Sequence, residues 1–159
     1  MERGWKAIGV RELCARAEVA RSTFYLHFHN KEELLEDGLN ALRNTIRQFA
    51  PKHALRETGQ FGFVEGVADH IFENRKMFLA LIGGNGSSVV REKFRAMLSA
   101  MVNEEMKECG KADEAIAHFL SGGFLSLAAF SMSRNSGGAR DFSARFHGFA
   151  KEIVRSGKR

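Results

Sequence analysis

The sequence of 159 residues predicts an all-α fold of about eight helices, and three observations carry that expectation. Apolar residues recur at intervals of three and four through nearly the whole chain, the spacing that gives a helix one buried face. Period-two alternation, the mark of a half-buried strand, is absent. Proline occurs once, at Pro51, so long helical runs go uninterrupted, while glycine-rich breaks separate them at 83–88 (GGNGSS) and 135–138 (NSGG).

In chain order, Val10, Leu13, Cys14 and Ala17 form the face of a first helix over about 10–17. Glu18 and Val19 make a tight turn, and residues 20–28 read as a second, short helix that buries Phe24 and Phe28. Asn30 suits an N-cap, with Glu33 three residues on completing a capping box. From Lys31 a longer helix aligns Leu35, Leu39, Leu42, Ile46 and Phe49. Residues 50–60 (APKHALRETGQ) read as a linker, followed by two shorter helices over 61–73 and 75–82. Val90, Phe94, Met97, Leu98 and Met101 define the next helical face. Residues 114–133 form another helix, and Phe142, Phe146, Phe149 and Ile153 mark the last one.

Composition narrows the function. The net charge of +5 permits an anionic partner, and six Lys or Arg against three Glu fall within residues 1–31. Cys14 and Cys109 lie far apart without metal-ligand spacing, so both read as reduced thiols of a cytoplasmic protein. The longest mostly apolar stretch, 119–132, is broken by Ser and Gly and reads as too short to span a bilayer; with no signal peptide, no membrane association is expected. Enzymatic readings find no support. GGNGSS lacks the lysine of a phosphate-binding loop, and SGGF at 121–124 lies inside a helix, not on a nucleophile turn. The histidines of ADH (68–70) and AIAHF (115–119) stand isolated, so neither a metal nor another cofactor is expected.

The segment VRELCARAEVARSTFYLHF reads as helix, tight turn, helix, with Arg21, Ser22, Thr23, Tyr25 and His27 offered by the second helix. A helix-turn-helix unit lays that second helix in a DNA major groove. Residues at its start meet base edges, while flanking cations and hydroxyls take phosphates. The same residues also suit a pair of core helices with a solvated polar face, and the pattern alone leaves both readings open.

The stretch GVRELCARAEVARSTFYLHFHNKEELLEDGL resembles the DNA-binding module of TetR-type (TetR/AcrR) transcriptional regulators, over about residues 3–40. The shared pattern runs through Val19, Thr23, Tyr25, His27, Phe28, Asn30 and Lys31. The resemblance implies that residues 21–28 are the recognition helix. It implies further that Tyr25, His27 and Lys31 contact phosphates, and that Arg21, Ser22 and Thr23 face bases. Three departures stand out. Glu18 occupies a turn position where the family usually has Gly, at a cost on the order of 1 kcal/mol if the positive φ is kept. Ala20 replaces a Ser-type cap, losing about 0.5–2 kcal/mol. ERG at 2–4 resembles the tail of the family's first helix, so the chain is expected to begin inside that helix and to leave apolar surface of the head open.

The resemblance divides the chain into a DNA-binding domain, 1–47, and a regulatory and dimerisation domain, 48–159. Helix 114–133 supports dimerisation independently. Ile116, Phe119, Leu120 and Leu127 line one side of it and Leu125, Ala128, Ala129 and Met132 another, and a helix apolar all round is buried on both sides. A central helix in a monomer fits the same pattern. The expected interface comprises Phe124, Leu125, Ala128, Met132, Phe142, Phe146 and Phe149. A pocket for a small apolar ligand, implied by the resemblance, would draw on Phe63, Val67, His70, Ile71, Phe78, Phe94, Met97, Met101, His118 and Phe119, although each of these also suits plain core packing. The resulting expectation is a dimeric, ligand-responsive regulator, a repressor acting on a pseudo-palindromic DNA operator. The alternative is a dimeric all-α binding or interaction module whose DNA head does not function.

Overall fold

The structure, a computed structural model, describes residues 5–82, 87–134 and 136–157, apart from the Lys6 side chain. ERG at 2–4, most of GGNGSS and Asn135 therefore lie outside the described residues. The fold is all-α. A 3-10 turn, Trp5–Ala7, precedes α1 (Val10–Arg16), α2 (Arg21–His27), α3 (Lys31–Phe49), α4 (Ala54–Thr58) and α5 (Val64–Glu73). These are followed by α6 (Arg75–Ile82), α7 (Ser88–Glu108), α8 (Glu114–Ser133) and α9 (Ala139–Ser156).

Side chains placed at helix starts set these boundaries. Asn30 accepts from the Glu33 amide at 2.9 Å, and Asp113 accepts from the Ile116 amide at 3.0 Å. Each satisfies a donor that has no partner inside its helix. The stretch expected to be a linker instead contains α4. His53 enters it at φ 59° and Gly59 leaves it at φ 73°, and between them Ala54 and Leu55 are buried. Two apolar side chains with a core to enter outweigh the loop-like composition around them. Phe49, expected on the buried side of α3, is exposed.

The main core is a body of helices around α8. It joins Phe61, Phe63, Val67, Phe78, Phe94, Leu98, Leu120 and Phe124 to Phe142 and Phe146 of α9. Phe124 meets Phe142 and Phe146 edge-on, with ring centroids 4.8 and 5.1 Å apart, a favoured aromatic geometry. The His147 ring and the Glu65 carboxylate meet at 3.0 Å where α9 packs on α5. α3 carries the chain from the first helices to this body. Its Leu35, Leu39, Leu42 and Ile46 pack on the core, and Arg43 and Arg47 pair with Glu104 of α7 while Lys93 of α7 pairs with Glu36.

Two expectations change here. Phe124, Leu125, Ala128, Met132, Phe142 and Phe146 are buried inside the single chain; Phe124 is only 1% exposed. Of the residues expected at a dimer seam, Phe149 alone is exposed, at 61%. In addition, α8 is long and apolar enough to cross a membrane by length and composition, contrary to the reading of 119–132 as too short. Its packing against α6, α7 and α9 is that of a core helix.

Candidate nucleic-acid interface

The head, residues 5–28, is built around the α1–turn–α2 unit. The turn works because Glu18 takes the left-handed conformation, φ 55°, where the family pattern favours glycine. The Val19 amide donates to the Cys14 carbonyl at 3.0 Å and closes α1. Ala20 opens α2 from an extended conformation without a side-chain cap, so the cost expected for the missing Ser-type cap stands. Cys14 and Phe24 are the buried side chains of the head among the described residues, with Leu13 and Phe28 half-buried beside them. The Phe24 ring meets Tyr25 edge-on and Phe28 at a tilt, with centroids 5.3 and 5.6 Å apart.

Burying Phe24 turns the remainder of α2 outward. Arg21, Ser22, Thr23, Tyr25 and His27 are all exposed. Arg21 has no ion-pair or hydrogen-bond partner among the described residues, so its charge is available at the start of the helix. Leu26 joins this surface and is 80% exposed. Sequence reasoning passed over it because an apolar residue in an amphipathic helix is ordinarily assigned to the core. The signal was its spacing: Ser22, Tyr25 and Leu26 stand at i, i+3 and i+4 and so share a face.

Lys31 is arranged differently from the other candidates. It is half-buried, and its ammonium donates to the Trp5 carbonyl at 2.7 Å and the Ile8 carbonyl at 2.8 Å. It also lies 5.0 Å from the centre of the Trp5 ring, a cation–π distance. The Trp5 indole N–H donates to Glu32 at 3.3 Å. Lys31 and Glu32 thus hold the 3-10 turn onto the first turn of α3. Next to this clamp, the Glu33 carboxylate accepts from the His29 amide at 2.6 Å and contacts the His29 ring at 2.9 Å. It reaches the residue before the cap, not the cap's own amide. The His29 amide, then its ring, hold the Glu33 carboxyl below its ordinary pKa.

The residues expected to bind a ligand do not form one set. His70, Ile71, Phe78 and Phe94 line a cavity of about 430 Å3 beneath the head, completed by Trp5, Leu13, Leu34, Leu35, Gly38 and Leu39, among others. Phe63 and Met101 border a separate, charged cleft of about 230 Å3 beside Arg47, Arg56 and Glu105. Val67 and Met97 are buried in the core. His118 is exposed and contacts Arg95, and Phe119 is 64% exposed on the outer face of α8. In the charged cleft Glu105 accepts from the Gly62 and Phe63 amides at 2.9 and 3.2 Å. Burial pushes its carboxyl above its ordinary pKa, against the pull of those two amides. No group of residues able to hold a metal ion is present among the described residues.

A helix-turn-helix with its second helix turned to solvent, joined by a capped connecting helix to an all-α body, defines the class: a DNA-binding regulator of transcription. Residues 1–37 match the profile of bacterial regulatory proteins of the tetR family. Over this segment the chain is similar to the DNA-binding part of that family, which supports a DNA-binding regulator. No curated protein and no solved structure matches the chain.

Proposed function

We propose that this regulator is a ligand-responsive repressor that binds a pseudo-palindromic operator in double-stranded DNA as a homodimer in the cytoplasm. The observation that carries the reading is the exposed face of α2. Arg21, Ser22, Thr23, Tyr25, Leu26 and His27 are free to enter a major groove. In this reading Arg21, Ser22 and Thr23 meet base edges, and Tyr25 and His27 meet phosphates. Leu26 would pack on a thymine methyl group, the apolar feature a major groove offers. Lys31 supports the head from behind through its two carbonyls. Its third N–H remains for a phosphate.

Dimerisation is supported by the outer faces of α8 and α9, not by the residues first expected. Phe119, Gly123, Ser126 and Phe130 stand at i, i+4, i+7 and i+11 along α8, and Phe119 and Phe130 are exposed beside the exposed Phe149 of α9. Gly123 has open space where a Cβ would stand, so a second backbone can approach closely. A two-fold copy on this face would cover all three Phe side chains and pair the two heads as two half-sites require. Repression needs only occupancy of the site. The free thiols of Cys14 and Cys109 suit a reducing cytoplasm. The apolar cavity between head and body supplies room for a ligand whose differential affinity for two head positions sets the response.

Selection of duplexes from a randomised library by the full chain tests the reading. Enrichment of an inverted repeat, with half-sites about one helical turn apart, is expected. A dimer that enriches no sequence would favour the interaction module with a non-functional head.

A further inference from the structure

Trp5 occupies two structural positions at once. It is a wall of the 430 Å3 cavity, and it is the residue of the head that packs against the main core among the described residues. α1 and α2 pack on each other, and neither has a broad packing face on a body helix. The head is therefore attached to the body through α3 and through Trp5. The indole is held by Lys31 and Glu32, as described above, and borders a cavity whose other walls include residues of α6 and α7.

The chemistry of the cavity is narrow. Its wall carries no Asp, Glu, Lys or Arg. An ion placed there would be stripped of water without compensation, so a charged occupant is disfavoured. Besides the Trp5 indole, whose N–H is taken by Glu32, the polar side chains in the wall are His70 of α5 and Asn74, the residue that caps its end. The Asn74 amide nitrogen already donates to the His70 carbonyl at 2.8 Å, whereas the His70 ring has no hydrogen-bond partner among the described residues. The volume falls within the roughly 300–1,000 Å3 range of small-molecule sites.

Resting on the ligand-responsive reading above, we propose that this cavity takes a neutral, largely apolar small molecule with one hydrogen-bonding group for the His70 ring, and that its occupancy reaches the head through Trp5. An occupant lying between Phe78, Phe94 and the indole adds apolar contact to Trp5, the head residue packed against the core among the described residues. It thereby fixes the 3-10 turn, and with it the start of α1, against α3. Trp5 is a positioning residue in this scheme: the ligand touches it, and it in turn restricts the α1–α2 unit.

The test uses the full chain and N-phenyl-1-naphthylamine, a neutral apolar fluorophore. Trp5 is the only tryptophan in the sequence, so energy transfer from protein to probe reports occupancy beside that residue. Saturable one-to-one binding with loss of Trp5 emission is expected. Gly38→Leu should weaken it about tenfold or more by filling the cavity. Gly38 lines the cavity from within α3 and has open space at its missing Cβ, and leucine is the better helix former, so this variant keeps its fold. Hydrogen exchange reads the second half of the inference. Saturating probe should slow exchange of residues 10–28 about fivefold or more in the unmutated chain. At a probe concentration that just saturates the unmutated chain, the slowing should shrink in Gly38→Leu in proportion to lost occupancy, and it should vanish in Trp5→Ala, where occupancy is followed by the probe's own emission. Absence of saturable binding, binding indifferent to Gly38→Leu, or exchange that is unchanged or faster in the unmutated chain would overturn the inference. So would slowing that persists in Trp5→Ala. None of these readouts uses DNA. If no duplex is selected while exchange responds as expected, the regulator reading fails and the cavity inference stands. If a duplex is selected and exchange does not respond, the reverse holds.

Discussion

Within residues 10–28 the head buries two side chains, Cys14 and Phe24, whereas the body buries phenylalanines from every helix between α6 and α9 and from the segment before α5. The head spends its surface on exposed polar and basic residues and on Leu26. The body turns most of its apolar residues inward and keeps Phe119, Phe130 and Phe149 outside. Stability and recognition are therefore assigned to different parts of the chain. Substitutions that serve one part should leave the other intact, with Trp5 and α3 as the places where the two meet.

The largest expected effect contrasts the two cores. Phe124→Glu places an unpaired charge in the body's aromatic cluster and should cost more than about 4 kcal/mol, enough to prevent folding of the whole chain. Phe24→Ala should cost about 3–5 kcal/mol, confined to the head. Circular dichroism melts combined with hydrogen exchange separate the two outcomes. Loss of protection in α7 and α8 of Phe24→Ala would show that head and body are one cooperative unit.

Phe119→Glu comes next. Phe119 is on the outer face of α8, so the melt of the body should barely change while the proposed dimer weakens about a hundredfold or more. Sedimentation of the two proteins at micromolar concentration decides the point. A monomeric unmutated chain would remove the dimer from the account.

Much of this division was legible beforehand, and the remainder needed tertiary information. Helix 114–133 has the expected bounds: the NSGG break marks its end, and the Asp113 cap at its start is a local signal of the same kind. The α1–turn–α2 unit was equally local, down to the strained Glu18. The outward face of α8 was not legible: a helix apolar on several faces does not say which one meets its own chain, so Phe124 was assigned to a partner and Phe119 to a pocket. The resemblance implies a phosphate contact for Lys31, and its second role was not legible, because the carbonyls it holds lie more than twenty residues away in sequence. Likewise, the cavity draws on five helices and the 3-10 turn, so no single periodicity could select His70, Ile71, Phe78 and Phe94 from the other core residues.

Smaller effects sharpen the comparison at the reading surface. Leu26→Ala should change stability by no more than about 0.5 kcal/mol, because the side chain touches little of its own protein. It should lower the preference for thymine over uracil at one position of each selected half-site. Duplexes carrying deoxyuridine in place of thymidine provide the measurement, and an unchanged preference would remove Leu26 from base contact.

The smallest expected effect is in pH dependence, and its sign differs between the two regions. Glu33, at the junction, has a lowered folded pKa. Its contribution is complete above the ordinary glutamate range and is lost as pH falls through the folded value. Glu105, in the body, has a raised pKa. Its contribution is present below the ordinary range and is lost as pH rises through the raised value. Acidification through the glutamate range should therefore loosen the first turn of α3 relative to the start of α5. Amide exchange corrected for its intrinsic pH dependence reads this, and Glu33→Gln should abolish the difference at the junction.

The central claim is that α2 is a DNA-reading surface carried by an independently stable body. Its most direct test is an anisotropy titration of a selected duplex with the unmutated chain and with the triple variant Arg21→Ala, Ser22→Ala, Tyr25→Ala, at salt concentrations from about 50 to 200 mM. The unmutated chain should lose affinity about a thousandfold across that range, as a protein neutralising several phosphates does. The triple variant should lose sequence-specific binding while its body melts unchanged. Equal affinity and equal salt dependence in the two proteins would contradict the claim.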